Sequence, residues 1–137
     1  MNLGPPVLAI DPGRHKCGVA VVKAAGGAFE ALYQGVTTIA DLQRLLAELV
    51  SRFEPESIVI GNGTNSAHVA RTAASATAAP VVVVDERFST IAARKRFFEQ
   101  NPPRGLRRLI PLSLQTPSRP YDDYVAVILA EEYLKSR

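Results

Sequence analysis

Of the 13 acidic side chains in this chain of 137 residues, those at three distant places stand out. Asp11 closes the apolar run Val7-Leu-Ala-Ile-Asp11, Asp85-Glu86 follows Val81 to Val84, and Asp122-Asp123 precedes the apolar stretch Tyr124 to Ala130. Carboxylates brought together repel one another and are costly unless a cation neutralises them, and hard oxygen donors then select Mg²⁺ or Mn²⁺. Two such ions about 3.5–4 Å apart activate water and stabilise the leaving oxygen in phosphodiester cleavage. Each acid also has an ordinary role open to it. Asp11 suits a turn at Pro12-Gly13, Asp85 or Glu86 suits the cap of a helix opening near Ser89, and Asp122 and Asp123 suit the positive end of a helix macrodipole.

The cations are unevenly spread. Arg87, Arg94, Lys95, Arg96, Arg104, Arg107, Arg108 and Arg119 share their segment with a single acid, Glu99, so half of the 16 Lys and Arg side chains lie there while the net charge of the whole chain is only +3. A local excess of this size suits a polyanionic partner such as nucleic acid, although a solvated charged surface has the same composition.

Whether the acids meet depends on the elements that carry them. Val7 to Asp11 reads as a buried strand stopped by Pro12-Gly13, Cys17 to Val22 as a second, and Gly26-Gly27 as the hairpin into a third, Ala28 to Val36. Thr38, with Asp41 three residues later, caps a helix whose stripe is Leu42, Leu45, Leu46, Leu49 and Phe53. Ser57 to Gly61 forms a fourth strand that runs into the polar loop Asn62 to Ser66. A small-residue helix over Ala67 to Ala78, a fifth strand over Val81 to Val84 and a basic helix from a Ser89 cap to Gln100 come next. Asn101 to Pro120, rich in proline and arginine, reads as a long and partly mobile loop before a helix over Tyr121 to Lys135. The order gives an α/β fold with one mixed five-stranded sheet, three leading antiparallel strands and helices on both faces. Strands one, four and five are parallel neighbours, and strands two and three lie at one edge. Residues 1–137 form a single domain on this reading. In such sheets, sites collect where parallel strands end at their carboxyl edge, where Asp11 and Asp85-Glu86 fall.

The segments Ala9-Ile-Asp-Pro-Gly13, Gly18-Val-Ala-Val21, Ile58-Val-Ile-Gly61, Asp85-Glu-Arg-Phe-Ser-Thr90 and Asp122-Asp-Tyr-Val-Ala-Val-Ile-Leu129, in this order, resemble the YqgF/RuvX family. These are pre-ribosomal-RNA nucleases and Holliday-junction-resolvase-like proteins of the RNase H-like fold. The resemblance implies a divalent-metal nuclease with Mg²⁺ or Mn²⁺ held by Asp11, Glu86 and one of the final aspartates. Register favours Asp122, with Asp123 as an additional ligand, while helical geometry leaves the two open. The Asp-Pro-Gly turn is similar to that of the RuvC resolvases, but the acid those proteins carry on the fourth strand has no counterpart from Ser57 to Ser66. Asn62-Gly-Thr-Asn65 stands where the family more often has Leu-Pro.

Around the acids, Arg14, Lys16 and Arg87 could reach phosphate, as could Arg94, Lys95, Arg104, Arg107 and Arg108. For Arg14, His15 and Lys16 the alternative is a plain surface turn, and for Arg87 a structural ion pair. His68 reads as a structural or surface residue and Cys17 as core. Tyr121 and Tyr124 suit packing on the sheet more than stacking on a base. The leading reading is an endonuclease for structured nucleic acid, either pre-16S rRNA or a Holliday junction. A non-catalytic nucleic-acid-binding module and an actin-like ATPase are the alternatives, the latter needing a second domain to clamp nucleotide. Cutting a four-way junction symmetrically calls for a homodimer. No apolar run approaches the roughly 20 residues of a membrane span. With Cys17 alone and no signal-peptide pattern, the expected location is cytoplasmic, with no membrane partner.

Overall fold

The computed structural model describes residues 4–111 and 121–136. Its strands are β1 (Val7–Asp11), β2 (Lys16–Ala25), β3 (Ala28–Thr38), β4 (Ile58–Gly61) and β5 (Val81–Val84). They form one sheet in the order β3-β2-β1-β4-β5. β1 is antiparallel to β2 and parallel to β4, and β4 is parallel to β5. This is the expected mixed sheet with its expected edge hairpin.

Alternation along the strands sorts their side chains to two faces. Leu8 and Ile10 of β1, with Val19 and Val21 of β2 and Ile58 and Ile60 of β4, pack under α1 (Ile39–Phe53) and α2 (Ser66–Ala76). Val7, Ala9, Ala20, Val22 and Val59 face the other way, against α3 (Arg87–Gln100) and α4 (Asp122–Lys135). Tyr124 through Ala130 of α4 are buried without a break, because the sheet covers one side of that helix and α3 covers another; a helix apolar all round belongs inside. Continuing the alternation places Asp11 on the α3/α4 face with Val7 and Ala9, and Gly18 and Gly61 on that face of the neighbouring strands.

The helix starts are set by local hydrogen bonds. Thr38 Oγ1 accepts from the Asp41 amide at 3.2 Å, as the cap pattern predicts. The start of α3 differs from expectation. It begins at Arg87, two residues before Ser89, and Ser89 lies buried in its first turn with its amide donating to the Glu86 carbonyl. Asp85 Oδ1 takes the Arg87 amide at 2.9 Å, which opens the helix earlier and leaves no capping role for Ser89. Within the expected loop after α3, Gly105–Leu109 makes a short 3-10 turn. Residues 112–120, with Arg119, lie outside the described residues.

Candidate active site

Asp11 ends β1 opposite Gly18 of β2, and the last paired residues of β1 and β4 are Ile10 and Ile60, so Gly61 follows on Asp11's other side. Both glycines are needed for close approach. A Cβ at Gly18 would run into the backbone of Asp122, and a Cβ at Gly61 would run into the Glu86 carboxyl. The first turn of α4 and the start of α3 can therefore settle beside Asp11 because the flanking strands carry no side chain there.

The structure brings Asp11, Glu86 and Asp122 to one place. The Asp11 carboxyl lies within hydrogen-bonding reach of Glu86 and also feels the charge of Asp122. Burial, then the Glu86 carboxyl, then Asp122 push Asp11 up to about 9. Asp122 is raised as well, by burial first and then by Asp123 and Glu86, with exposed Lys16 pulling it back down. Glu86 Oε2 is buried and, among the described residues, no donor reaches it. Two carboxyl groups within hydrogen-bonding reach of each other require a shared proton or a cation.

Asp123 behaves differently from Asp122. It is buried, and its Oδ2 accepts from Gln34 Nε2 of β3 at 3.0 Å. Asp85 is turned to solvent, where the Arg87 amide and guanidinium hold its carboxyl below the usual carboxylate range. The helix-opening role open to either residue of the Asp85-Glu86 pair thus belongs to Asp85, which frees Glu86 for the interior.

The donor chemistry suits a hard divalent ion. Among the described residues no group of three or more His, Cys, Asp or Glu side chains forms a ready cage. Mg²⁺, however, commonly binds through one or two carboxylates and keeps several waters, so the Asp11–Glu86 pair, an orphaned Glu86 oxygen and neighbouring Asp122 form a fitting donor set.

The cations divide by what they touch. Arg14, Lys16, Lys95, Arg104 and Arg108 are exposed, while Arg94 lies over the Phe98 ring at 5.3 Å and Arg87 pairs with Asp85 at 2.9 Å. The ion-pair alternative for Arg87 is therefore the arrangement present, and a surface pair of this kind is weak. Arg96 instead forks onto Glu131 of α4, at 2.6 and 2.9 Å, and joins the two helices. The Arg107 side chain lies outside the described set. Tyr121 and Tyr124 pack on Phe97, and the Tyr124 hydroxyl donates to Gln100 Oε1 at 2.8 Å. Packing, as expected, occupies these rings. Cys17 is buried in the α1/α2 core, and His68 is exposed on α2.

Sequence reasoning passes over one group, the turn after β4. Asn62 Oδ1 accepts from the Glu86 amide at 3.3 Å, and Asn65 Nδ2 donates to the Gly13 carbonyl at 3.4 Å. The available signal was a pair of glycines, Gly61 and Gly63, around an asparagine at a strand end.

Residues 6–136 match the family model described as RuvX: Holliday junction resolvase. A Geobacillus sp. (strain WCH70) protein named "Putative pre-16S rRNA nuclease" is 30% identical over 149 residues, which span 96% of this chain and 98% of the relative. Thermus thermophilus RuvC in complex with a Holliday junction substrate superposes with a TM-score of 0.57 at 19% identity, over 97% of this chain and 96% of that one. The human cytomegalovirus terminase nuclease domain, Mn soaked, gives 0.55 at 16% identity, over 95% and 82%. At these identities the two structures speak for the fold, which is the RNase H-like architecture expected from the resemblance.

Proposed function

This chain belongs to the RuvX family of nucleases, and on that footing we propose that it is a divalent-metal-dependent endonuclease acting on structured nucleic acid, either precursor 16S rRNA or a Holliday junction. The observation that carries this reading is the contact between the Asp11 and Glu86 carboxyls beside Asp122, with Glu86 Oε2 buried and unsatisfied. Asp11 and Glu86 hold the ion, Asp122 completes the site from the first turn of α4, and Asp123 serves as the additional ligand from the same turn. When bound, Mg²⁺ or Mn²⁺ supplies charge stabilisation for the phosphate and lowers the pKa of water.

The rest of the work falls to the chain's own groups. Lys16, at the start of β2, whose charge already acts on Asp122, and Arg14, on the turn after Asp11, meet phosphate near the cut. Arg87, Arg94, Lys95, Arg104, Arg107 and Arg108 hold the flanking backbone. If the substrate is a four-way junction, two copies act on it, because two opposed strands need two sites. The relative's name favours a cytoplasmic location.

The test is a side-by-side incubation with four-way junction DNA and a precursor-rRNA fragment in Mg²⁺, Mn²⁺ or chelator. The expected result is cutting of at least one substrate with either ion and none in chelator. Binding that persists in chelator while neither ion restores cutting would make the protein a non-catalytic module instead.

A further inference from the structure

The polar turn joining β4 to α2 touches both acid-bearing segments, and no catalytic group lies on it. We infer that Gly61 to Asn65 is a positioning element that seats Glu86, the residue just before α3, at the end of β4, a strand that carries no acid of its own. This inference rests on the metal-site reading above and names what holds that site in shape.

The seat is made by missing side chains. A Cβ at Gly61 would fall on Glu86 Oε2, and one at Gly63 would fall on Oε1. Each oxygen of the carboxyl therefore occupies space that a side chain on the turn would fill. Asn62 sets the backbone that delivers it. Its amide donates to the Val84 carbonyl at 2.9 Å and its Oδ1 accepts from the Glu86 amide at 3.3 Å, so one residue grips both ends of the short link from β5 to α3. Asn65 performs the second clasp, donating to the carbonyl of Gly13, two residues beyond Asp11. Its φ of 71° is left-handed, which asparagine tolerates better than most residues. The two asparagines thus tie the segment bearing Asp11 and the segment bearing Glu86 to a single turn, and outer groups of this kind orient metal ligands.

Gly61→Ala is the sharpest test, because it deletes no polar group. The backbone at Gly61 is not left-handed, and the obstructing atom is the end of a flexible side chain, so the fold survives while Glu86 is displaced. Mn²⁺ binding to the free protein, followed by the electron paramagnetic resonance of unbound Mn²⁺, is expected to weaken by about tenfold or more. Nucleic-acid affinity in chelator is expected to stay as in the wild type. Asn62→Ala and Asn65→Gly, the latter keeping the left-handed backbone, are also expected to weaken Mn²⁺ binding, by about tenfold, again a loss of ligand orientation. Wild-type Mn²⁺ affinity in Gly61→Ala, with affinity lost in Glu86→Gln, would overturn the inference. Wild-type affinity in Glu86→Gln would instead remove the metal-site reading itself. Should Gly61→Ala not fold, undiminished Mn²⁺ binding in both asparagine variants overturns the inference equally.

Discussion

Asp11, Glu86 and Asp122 come from three distant segments, and glycines make room for Glu86 and for the backbone of Asp122, whereas Lys95, Arg104 and Arg108 stand on one continuous stretch and face solvent. The acids are costly to assemble: burial and mutual repulsion raise both Asp11 and Asp122. The exposed cations carry no such cost and gain only when phosphate arrives. On the proposed reading, groups that must meet a small ion are fixed by close packing, and those that track a long polyanion stand in solvent. Changes at the acidic edge should therefore act on the chemical step, and changes in the basic segment on affinity.

The largest effect belongs to Asp11→Asn or Glu86→Gln. Cleavage should fall by at least about a thousandfold, while binding in chelator, measured by gel shift, persists. Substantial cutting by either variant would dissolve the distinction between the two regions. The basic side follows. Five exposed contacts (Arg14, Lys16, Lys95, Arg104 and Arg108) would give a log affinity against log salt slope of about −4 to −5, and Arg104→Ala or Arg108→Ala should each reduce its magnitude by about 0.9 with the single-turnover cleavage rate unchanged.

Arg96 sharpens the comparison because it lies in the basic run but forks onto Glu131. Arg96→Ala should destabilise the fold by about 1–3 kcal/mol in denaturant unfolding and leave the salt slope alone. Smallest is a pH effect on the metal-free protein. Asp11 is raised to about 9, so the folded chain keeps a proton that the unfolded chain loses near the ordinary carboxylate range, and stability declines as pH climbs from that range towards 9. Asp11→Asn, which imitates the protonated acid, should escape the decline and melt higher than wild type by about 3–6 °C at pH 8 in chelator. A lower melting temperature for the variant would contradict the account of the carboxyl pair.

The sequence made the strand order readable because alternating and continuous apolar runs such as Val7 to Ile10 and Val81 to Val84, with their punctuating Pro and Gly residues, are local signals. It also indicated that Asp11 and Asp85-Glu86 lie where strands end and that Asp122-Asp123 opens the last helix. Only the family resemblance singled out Glu86; the local pattern did not separate it from Asp85, since that division depends on Asp85 turning back to the Arg87 amide while Asn62, 24 residues away in the chain, takes that of Glu86. The Ser89 cap failed for the same reason, as a nearer acceptor opened the helix first. Nor does charge counting reveal that Arg96 belongs to Glu131 or that Arg94 rests on Phe98; partners of that kind exist only once α3 and α4 are packed.

The claim underlying all of this is that acids from three elements trap a divalent ion at one edge of the sheet. Anomalous difference density from a Mn²⁺-soaked crystal tests it most directly. The account predicts a peak ligated by Asp11 and Glu86 with Asp122 beside it. A crystal with no peak there and an undisturbed Asp11–Glu86 carboxyl pair, at Mn²⁺ concentrations that support cleavage, would contradict it.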